Sequence, residues 1–513
     1  MITLIALRNL IHRPLRSLFL LFGYPLGVGV MIVLLAIGQA MLAQARDEKL
    51  VGGGQVTVLP EGMNIEVMKT GGVGGLFFSI ANARFIYREL LASPRLSHDV
   101  ATVAPQIDGK LLYLRAHGAE HTVRAAGEIP SHSAKVDALP PLIAGAWRDD
   151  DGDRRWASPT PHELYTSIDH FHMPPAHVAH PESWAEWHYF NVLWPSGKKW
   201  AFISYIVGGD VRGTKWGGQI AVSLREQGGR TRRFTANVRR EEVRFSTSSA
   251  DLEIGTSSVH LLPDGRYALR ASAAENGNGA PLHLDLVVTP APNILFPGGS
   301  IAECADTDES CPFASGYTVP GLRASASGSL CVSGACEHYS EAQSYHDHNW
   351  GVWRGVTWDW GAARAGSYTL LYGRVIGPDQ RGRQNPLFVY LVDSLGFRAV
   401  MRPANITYED GREITVDGKK IHVPSRAMFA DVRGSDTLRV ELDIEDAIGT
   451  DNRRRVNNGS LFAPAKPERG DPHSEASNPL PYFIQMKGTA RISGRLGGDP
   501  VSGSGTGFFE TYR

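Results

Sequence analysis

From Leu18 to Ala45 the chain carries no charged side chain, a run of 28 residues. That exceeds the ~20 residues needed to cross a bilayer as a helix. A water-soluble helix so apolar would need a protein partner on every face. Arg8, Arg13 and Arg16 precede the run, and the mixed cluster Arg46, Asp47, Glu48, Lys49 follows it. Basic residues stay on the cytoplasmic side. The sequence therefore predicts a cytoplasmic N-terminus, one transmembrane helix ending near residue 45, and a periplasmic location for the bulk of the chain. Ala43-Gln44-Ala45 also fits a signal-peptide cleavage site. Signal h-regions span only ~7–15 residues, however, so an uncleaved single-pass anchor in the inner membrane is the stronger expectation.

The segment that opens ALRNLIHRPLRSLF, continued by VTVLPEGMNIEVMKTGG and VATVAPQIDGKLL, resembles the start of the permease subunits of MacB/FtsX/LolC-type ABC transporters over roughly residues 1–120. Those permeases have four spans. No second apolar run of ~18 residues occurs here, so the chain is not a complete permease.

Beyond Gly145 the pattern changes to short alternating or apolar runs, such as KWAFISYIVGG (199–209), LHLDLVV (282–288), LFVYLVDS (387–394) and DTLRVELDI (436–444). Asp-Gly pairs at 264–265, 410–411 and 417–418 are turn signals. The 56 Gly and 31 Pro suit a turn-rich β protein better than a helix bundle. With 42% hydrophobic residues a large core can form, and 52 Lys+Arg against 53 Asp+Glu leaves no basic surplus for nucleic acid. Gly328-Ser-Leu-Cys-Val-Ser-Gly334 recurs as Gly488-Thr-Ala-Arg-Ile-Ser-Gly494. The 160-residue offset is the size of an eight-to-ten-strand barrel, so a duplicated β domain is expected, each copy able to enclose one small apolar ligand.

Cys304, Cys311, Cys331 and Cys336 lie close together. In an oxidising compartment they predict two local disulfides of open connectivity; a zinc site is the alternative, disfavoured by their spacing. The run DHFHMPPAHVAH carries His170, His172, His177 and His180. An H-x-H pair on a strand can bind metal, but with no acid or thiol pattern to complete the set it reads as a polar loop.

Two segments concentrate unusual chemistry: Pro181-Glu-Ser-Trp-Ala-Glu-Trp-His-Tyr-Phe190, and Tyr345-His-Asp-His-Asn-Trp-Gly351 followed by Trp358-Asp-Trp-Gly361. They set Trp184, Trp187, Trp350, Trp358 and Trp360 beside Glu186, His188, His346, Asp347, His348 and Asp359. A desolvated carboxyl keeps its proton and can donate it, and indole faces stabilise a carbocation. Equally, buried indole N–H groups need acceptors, which Asp and His supply.

These motifs, E-W-x-Y, Y-H-D-H-N-W-G and W-D-W-G, resemble the AttH/carotenoid 1,2-hydratase (hydroxyneurosporene synthase) superfamily over about residues 150–513. The resemblance implies a mainly β fold of two tandem lipocalin-like barrel or sandwich domains around a ligand cavity. It also implies cofactor-free chemistry, such as adding water to a terminal isoprenoid double bond. Asp347 would be the proton donor, with His346 and His348 orienting it and Asp359 as second-choice acid. Tyr345, Trp350, Trp358, Trp360, Glu186, Trp187, Tyr189 and Tyr372 would contact the ligand. The family's further acid, in a Tyr-x-Asp context, is replaced here by Tyr372-Gly373-Arg374, which weighs against hydration.

The expected organisation is a cytoplasmic start and transmembrane helix (1–45), a permease-like periplasmic remnant (46–149), and two lipocalin-like domains (150–350 and 351–513). The expected function is binding of a lipid or isoprenoid ligand in a barrel cavity, with the membrane and LolC-type ABC transporter subunits as further partners. A hydratase or cyclase using Asp347 is the alternative. No cofactor, metal or nucleic acid is expected.

Overall fold

The computed structural model of the chain describes residues 14–46, 56–58, 80–136, 148–176, 178, 180–226, 229–302, 315–353, 356–376, 387–452 and 480–513. The uncharged run lies in one helix, α1 (Pro14–Arg46), with Pro25 inside it. The consecutive residues Val30, Met31, Ile32, Val33, Leu34 and Leu35 are each more than half exposed. At about 100° per residue, six in a row look out in every direction. Among the described residues, no helix is long and apolar enough to cross a membrane. The expected span is therefore not shown; an apolar helix with exposed side chains is.

The chain divides into two units, residues 1–78 with 100–153, and residues 79–99 with 154–513. The first holds α1 and an antiparallel hairpin, Gln106–Ala116 with Ala119–Glu128. His117 and Gly118 turn that hairpin with positive φ.

The second unit carries two large antiparallel sheets. Strands β1 (Trp184–Leu193), β2 (Lys199–Gly209), β3 (Trp216–Glu226) and β4 (Arg232–Arg239) form a meander. They are followed by β5 (Tyr267–Glu275), β6 (Pro281–Pro290), β7 (Ser315–Val332) and β8 (Ala335–Val352). The last strand, β8, returns to pair with β1. Strand β5 pairs with β6, and its last residues pair with the start of β4, so the eight strands close into a ring.

Eight further strands repeat this order: β9 (Thr357–Ala365), β10 (Tyr368–Ile376), β11 (Phe388–Asp393), β12 (Gly396–Met401), β13 (Arg426–Arg433), β14 (Asp436–Asp451), β15 (Tyr482–Leu496) and β16 (Asp499–Tyr512). Here β16 returns to β9 as β8 does to β1. The second set stays open: the sheet path runs from β12 at one flank to the short strand Thr407–Glu409, paired with β13, at the other, and among the described residues no ladder joins β12 to β13. Side chains bridge that seam instead. Asp431 Oδ2 accepts from the Arg402 N–H at 2.6 Å, and Arg433 Nη1 donates to Val400 O at 3.2 Å.

The sequence echo falls on corresponding strands, β7 and β15. Gly328 pairs with Leu286 of β6, and Gly488 with Ile444 of β14. A Cβ on either would come within 2.1 Å of Asp285 O or 2.2 Å of Asp443 O, so only glycine fits.

The first ring is not hollow over its described residues. Phe190, Ile203, Tyr205, Phe234, Tyr267 and Leu269 are fully buried and join one interior cluster. An eight-stranded ring is just wide enough for side chains to fill, and among the described residues large buried side chains stand where the ligand cavity is expected. The inner face of the second sheet is likewise filled, by Tyr372, Leu391, Phe429 and Phe509 among others. A third cluster joins the outer faces of the two sheets, with Tyr189, Trp200, Phe202 and Tyr345 meeting Trp360, Leu371 and Tyr390. Arg225 of β3 clamps Asp446 of β14 through two hydrogen bonds of 2.9 and 2.6 Å.

Cys331 and Cys336 form a disulfide across the β7–β8 turn, so those two thiols are not open to a four-cysteine zinc site. Cys304 and Cys311 lie outside the described residues.

Candidate functional site

Side chains alternate along a strand, and this rule divides the Tyr345–Trp350 motif of β8 into two sites. His346, His348 and Trp350 lie opposite Phe190, His188 and Glu186 of β1. They turn into the first ring. Tyr345, Asp347 and Asn349 turn the other way, towards the second sheet.

Inside the ring the hub is Asp169, from the loop after α2 (Pro161–Thr166), a helix with a Thr160–Glu163 capping box. Its side chain is fully buried. Oδ2 accepts from the Tyr267 hydroxyl at 2.7 Å and lies 3.0 Å from His346 Nε2. Oδ1 lies 2.7 Å from His348 Nδ1 and 3.4 Å from His188 Nδ1. His346 Nδ1 faces Tyr189 O at 3.0 Å. On the far side of His348, Nε2 lies 2.9 Å from Glu186 Oε1, at an angle that makes no hydrogen bond. Glu186 also accepts from the His172 backbone N–H at 2.8 Å and lies 3.1 Å from His172 Nδ1. Trp350 stacks on the His172 ring at 3.5 Å.

Burial opposes the Asp169 charge, but the neighbouring His188 and His346 and the hydrogen bonds from His346 and His348 outweigh it. They hold the carboxyl well below its ordinary range. Burial also opposes a cation on His348, yet the contacts to Asp169 and Glu186 push it up to about 9. Burial, followed by the charge of His348, drives His188 well down.

On the opposite face, Asp347 Oδ2 accepts from the Tyr345 hydroxyl at 2.7 Å and Oδ1 from Asn349 Nδ2 at 2.6 Å. Trp360 Nε1 donates to the Tyr345 oxygen at 2.9 Å. A second carboxyl comes from β16. Glu510 accepts from Trp358 Nε1 at 2.9 Å and from Gln485 Nε2 at 3.1 Å. Burial pushes the Asp347 carboxyl up to about 7, and the Glu510 charge adds to the rise. Burial also raises Glu510. Asp347 is buried, whereas Glu510, Gln485, Asn349, Trp187 and Trp358 are half-buried. The open side of this site is therefore lined by indoles, with Trp187, Trp353 and Trp358 in mutual ring contact.

The expected site residues thus fall into three groups. Asp347, Tyr345, Tyr189, Trp187, Trp358 and Trp360 lie between the sheets. His346, His348, Glu186 and Trp350 belong to the ring interior, where the two histidines contact Asp169 rather than orient Asp347. Asp359 and Tyr372 lie inside the second sheet. There Asp359 Oδ2 accepts from Arg374 Nε and Nη2 at 3.0 and 2.6 Å, while Oδ1 accepts from Tyr408 and Thr511. Both oxygens of Asp359 are thus engaged by partners inside the second sheet, away from Asp347. Arg374, at the position where the family pattern has its further acid, is the partner of Asp359.

Sequence reasoning missed Asp169, Gln485 and the place of His172. Glu510 is likewise absent from the residues singled out for chemistry. Asp169 heads the His-rich run, the one local signal that could have flagged it.

No family model and no curated protein matches the chain. Among solved structures, it is similar to an AttH-like protein of Nitrosomonas europaea, at 16% identity and a TM-score of 0.42 over 67% of this chain and 98% of that one. It is similar to kievitone hydratase from Nectria haematococca at 13% identity and a TM-score of 0.36, over 68% of this chain and 94% of that one. It is also similar to CghA with bound Sch210972, at 13% identity and a TM-score of 0.39, over 69% and 96%. The permease likeness of the N-terminal segment gains no support from these matches.

Proposed function

We propose that the chain is a cofactor-free acid catalyst of the AttH/carotenoid hydratase type, acting on an apolar unsaturated substrate between its two sheets. The observation that carries this is the pair of carboxyls, Asp347 and Glu510, set behind a half-buried wall of indoles. One carboxyl protonates a C=C carbon. The faces of Trp187 and Trp358 stabilise the resulting cation. Water adds to the cationic carbon, and the other carboxylate takes its surplus proton. Glu510 supplies the second acid that the Tyr372-Gly373-Arg374 stretch lacks.

A second reading, an apolar-ligand binder without chemistry, is favoured by the same indole wall. The ligand would then lie between the sheets and not inside a ring.

Both readings take an apolar substrate, which a lipid surface would supply, and we take α1 as the tether to it. Its exposed apolar side chains, among them Val30, Ile32, Leu34 and Leu35, are what would hold it to a lipid surface. With Arg8, Arg13 and Arg16 held on the cytoplasmic side, the β region would be periplasmic; a place beside a LolC-type export system rests on the permease-like start of the sequence alone.

The test uses the full chain in detergent with a prenyl-terminated isoprenoid in H2(18)O. Catalysis predicts 18O in the product and a loss of ~10²-fold or more in both Asp347→Asn and Glu510→Gln. Ligand retained without label would leave the binder. Label undiminished in both variants would refute the site.

A further inference from the structure

The histidine cluster inside the first ring is separate from the carboxyl pair, on the opposite face of β8, and the proposed reaction does not use it. Three of its atoms converge: His172 Nδ1, Glu186 Oε1 and His348 Nε2 lie within 4.8 Å of one another. Glu186 Oε1 is 2.9 Å from His348 Nε2 and 3.1 Å from His172 Nδ1. Two ligands ~2.1 Å from one ion, at 90–109° to each other, stand ~3.0–3.4 Å apart, so these spacings fit the edges of a coordination polyhedron.

His348 Nε2 is fully buried and makes no hydrogen bond. The other ring nitrogen, Nδ1, faces the buried carboxylate of Asp169 at 2.7 Å. With Nδ1–H donated there, Nε2 presents a lone pair to a carboxylate oxygen. That arrangement needs a cation between the two atoms or a proton on the ring. A carboxylate behind a ligating histidine is also the usual outer support of a metal site.

We propose that His172, Glu186 and His348 form a two-histidine, one-carboxylate site for a divalent first-row transition metal such as Zn2+, with Asp169 as the residue that positions His348. The ion takes the place of the proton on Nε2, which leaves to solvent. Entry is past His172, whose side chain is 23% exposed while those of His348 and Glu186 are closed off. The site pins the loop carrying Asp169 and His172 to β1 and β8.

The test strips the full-length protein with a chelator, reloads it with ZnCl2 or CoCl2, and dialyses it against metal-free buffer. The expected result is one equivalent retained, with visible d–d absorption for Co2+. His172→Ala should lose at least 100-fold in affinity. His172 comes from a loop and not from a strand of the ring, so the variant's fold is checked by an unchanged circular dichroism spectrum. Asp169→Asn should lose 10–100-fold. His180→Ala, at an exposed position beside Glu182, should retain the full equivalent. A wild-type protein that keeps no metal overturns the proposal. So does a His172→Ala variant that keeps the equivalent and its Co2+ spectrum.

Discussion

Removing the Asp169 carboxylate should expose how much of the first ring depends on its polar centre. Asp169→Ala takes an acceptor from Tyr267 OH, His346 Nε2 and His348 Nδ1, all three on buried side chains. Each buried group left unpaired costs ~1–3 kcal/mol, and breaking a buried ion pair from one side costs ~3–5 kcal/mol. These losses share one hub and do not add, so about 4 kcal/mol is expected. Tyr267→Phe removes only the 2.7 Å bond to a charged acceptor, worth ~1.5–3 kcal/mol. Once Asp169 is gone, the Tyr267 hydroxyl has already lost its partner. The double variant should therefore fall short of the sum of the singles by about 2 kcal/mol. Urea unfolding of the metal-stripped full chain at pH 7, followed by tryptophan fluorescence and circular dichroism, gives all four free energies. An Asp169→Ala loss below about 1 kcal/mol, or singles that add within ~0.5 kcal/mol, would refute the hub.

Glu510 is an acid whose folded pKa lies above its unfolded value, with burial as the main cause. The stability it contributes is complete below ~4.3 and is lost as pH rises through the folded pKa. Glu510→Gln should flatten that part of the stability curve, and a variant that tracks the wild type at every pH would contradict the assignment. Asp359→Asn should lower stability by ~3–5 kcal/mol, because it leaves Arg374 without its partner, while turnover per folded molecule stays unchanged. A selective loss of turnover would return Asp359 to the acid role. Gly488→Ala and Gly328→Ala should each lower stability by at least ~1–3 kcal/mol, since the new methyl meets a backbone carbonyl. Thermal unfolding unaffected by either substitution would show that the paired strands yield at that point.

The strands were largely legible in the sequence because their signal is local. The run 199–209 is β2 itself, and 282–288 lies within β6. Asp417-Gly418, with φ positive at both residues, joins two paired strands as expected. Asp410-Gly411 does not, because its flanking strands pair elsewhere, one with β13 and the other with Lys419–Val423. The site was legible in its residues and wrong in its grouping. Period-two alternation in Tyr345–Trp350 already separates Asp347 from His346 and His348. Reading the stretch as a cluster overrode that rule. Asp169 meets His348 across 179 residues, and Trp358 meets Glu510 across 152, distances at which no spacing rule operates. The filled ring was hidden for another reason. Whether eight strands enclose a void depends on the volumes of inward side chains, and strand periodicity does not measure them.

The seam between β12 and β13 gives the two rings unequal mechanical characters. A closed ladder resists opening along its whole length, whereas the open second set is bridged at this seam, among the described residues, by links that include the Asp431 carboxylate and the Arg433 guanidinium. Both are open to water and to dissolved ions. Amide protons beside that join should exchange with deuterium well before those of β5 and β6, and sooner still in concentrated salt.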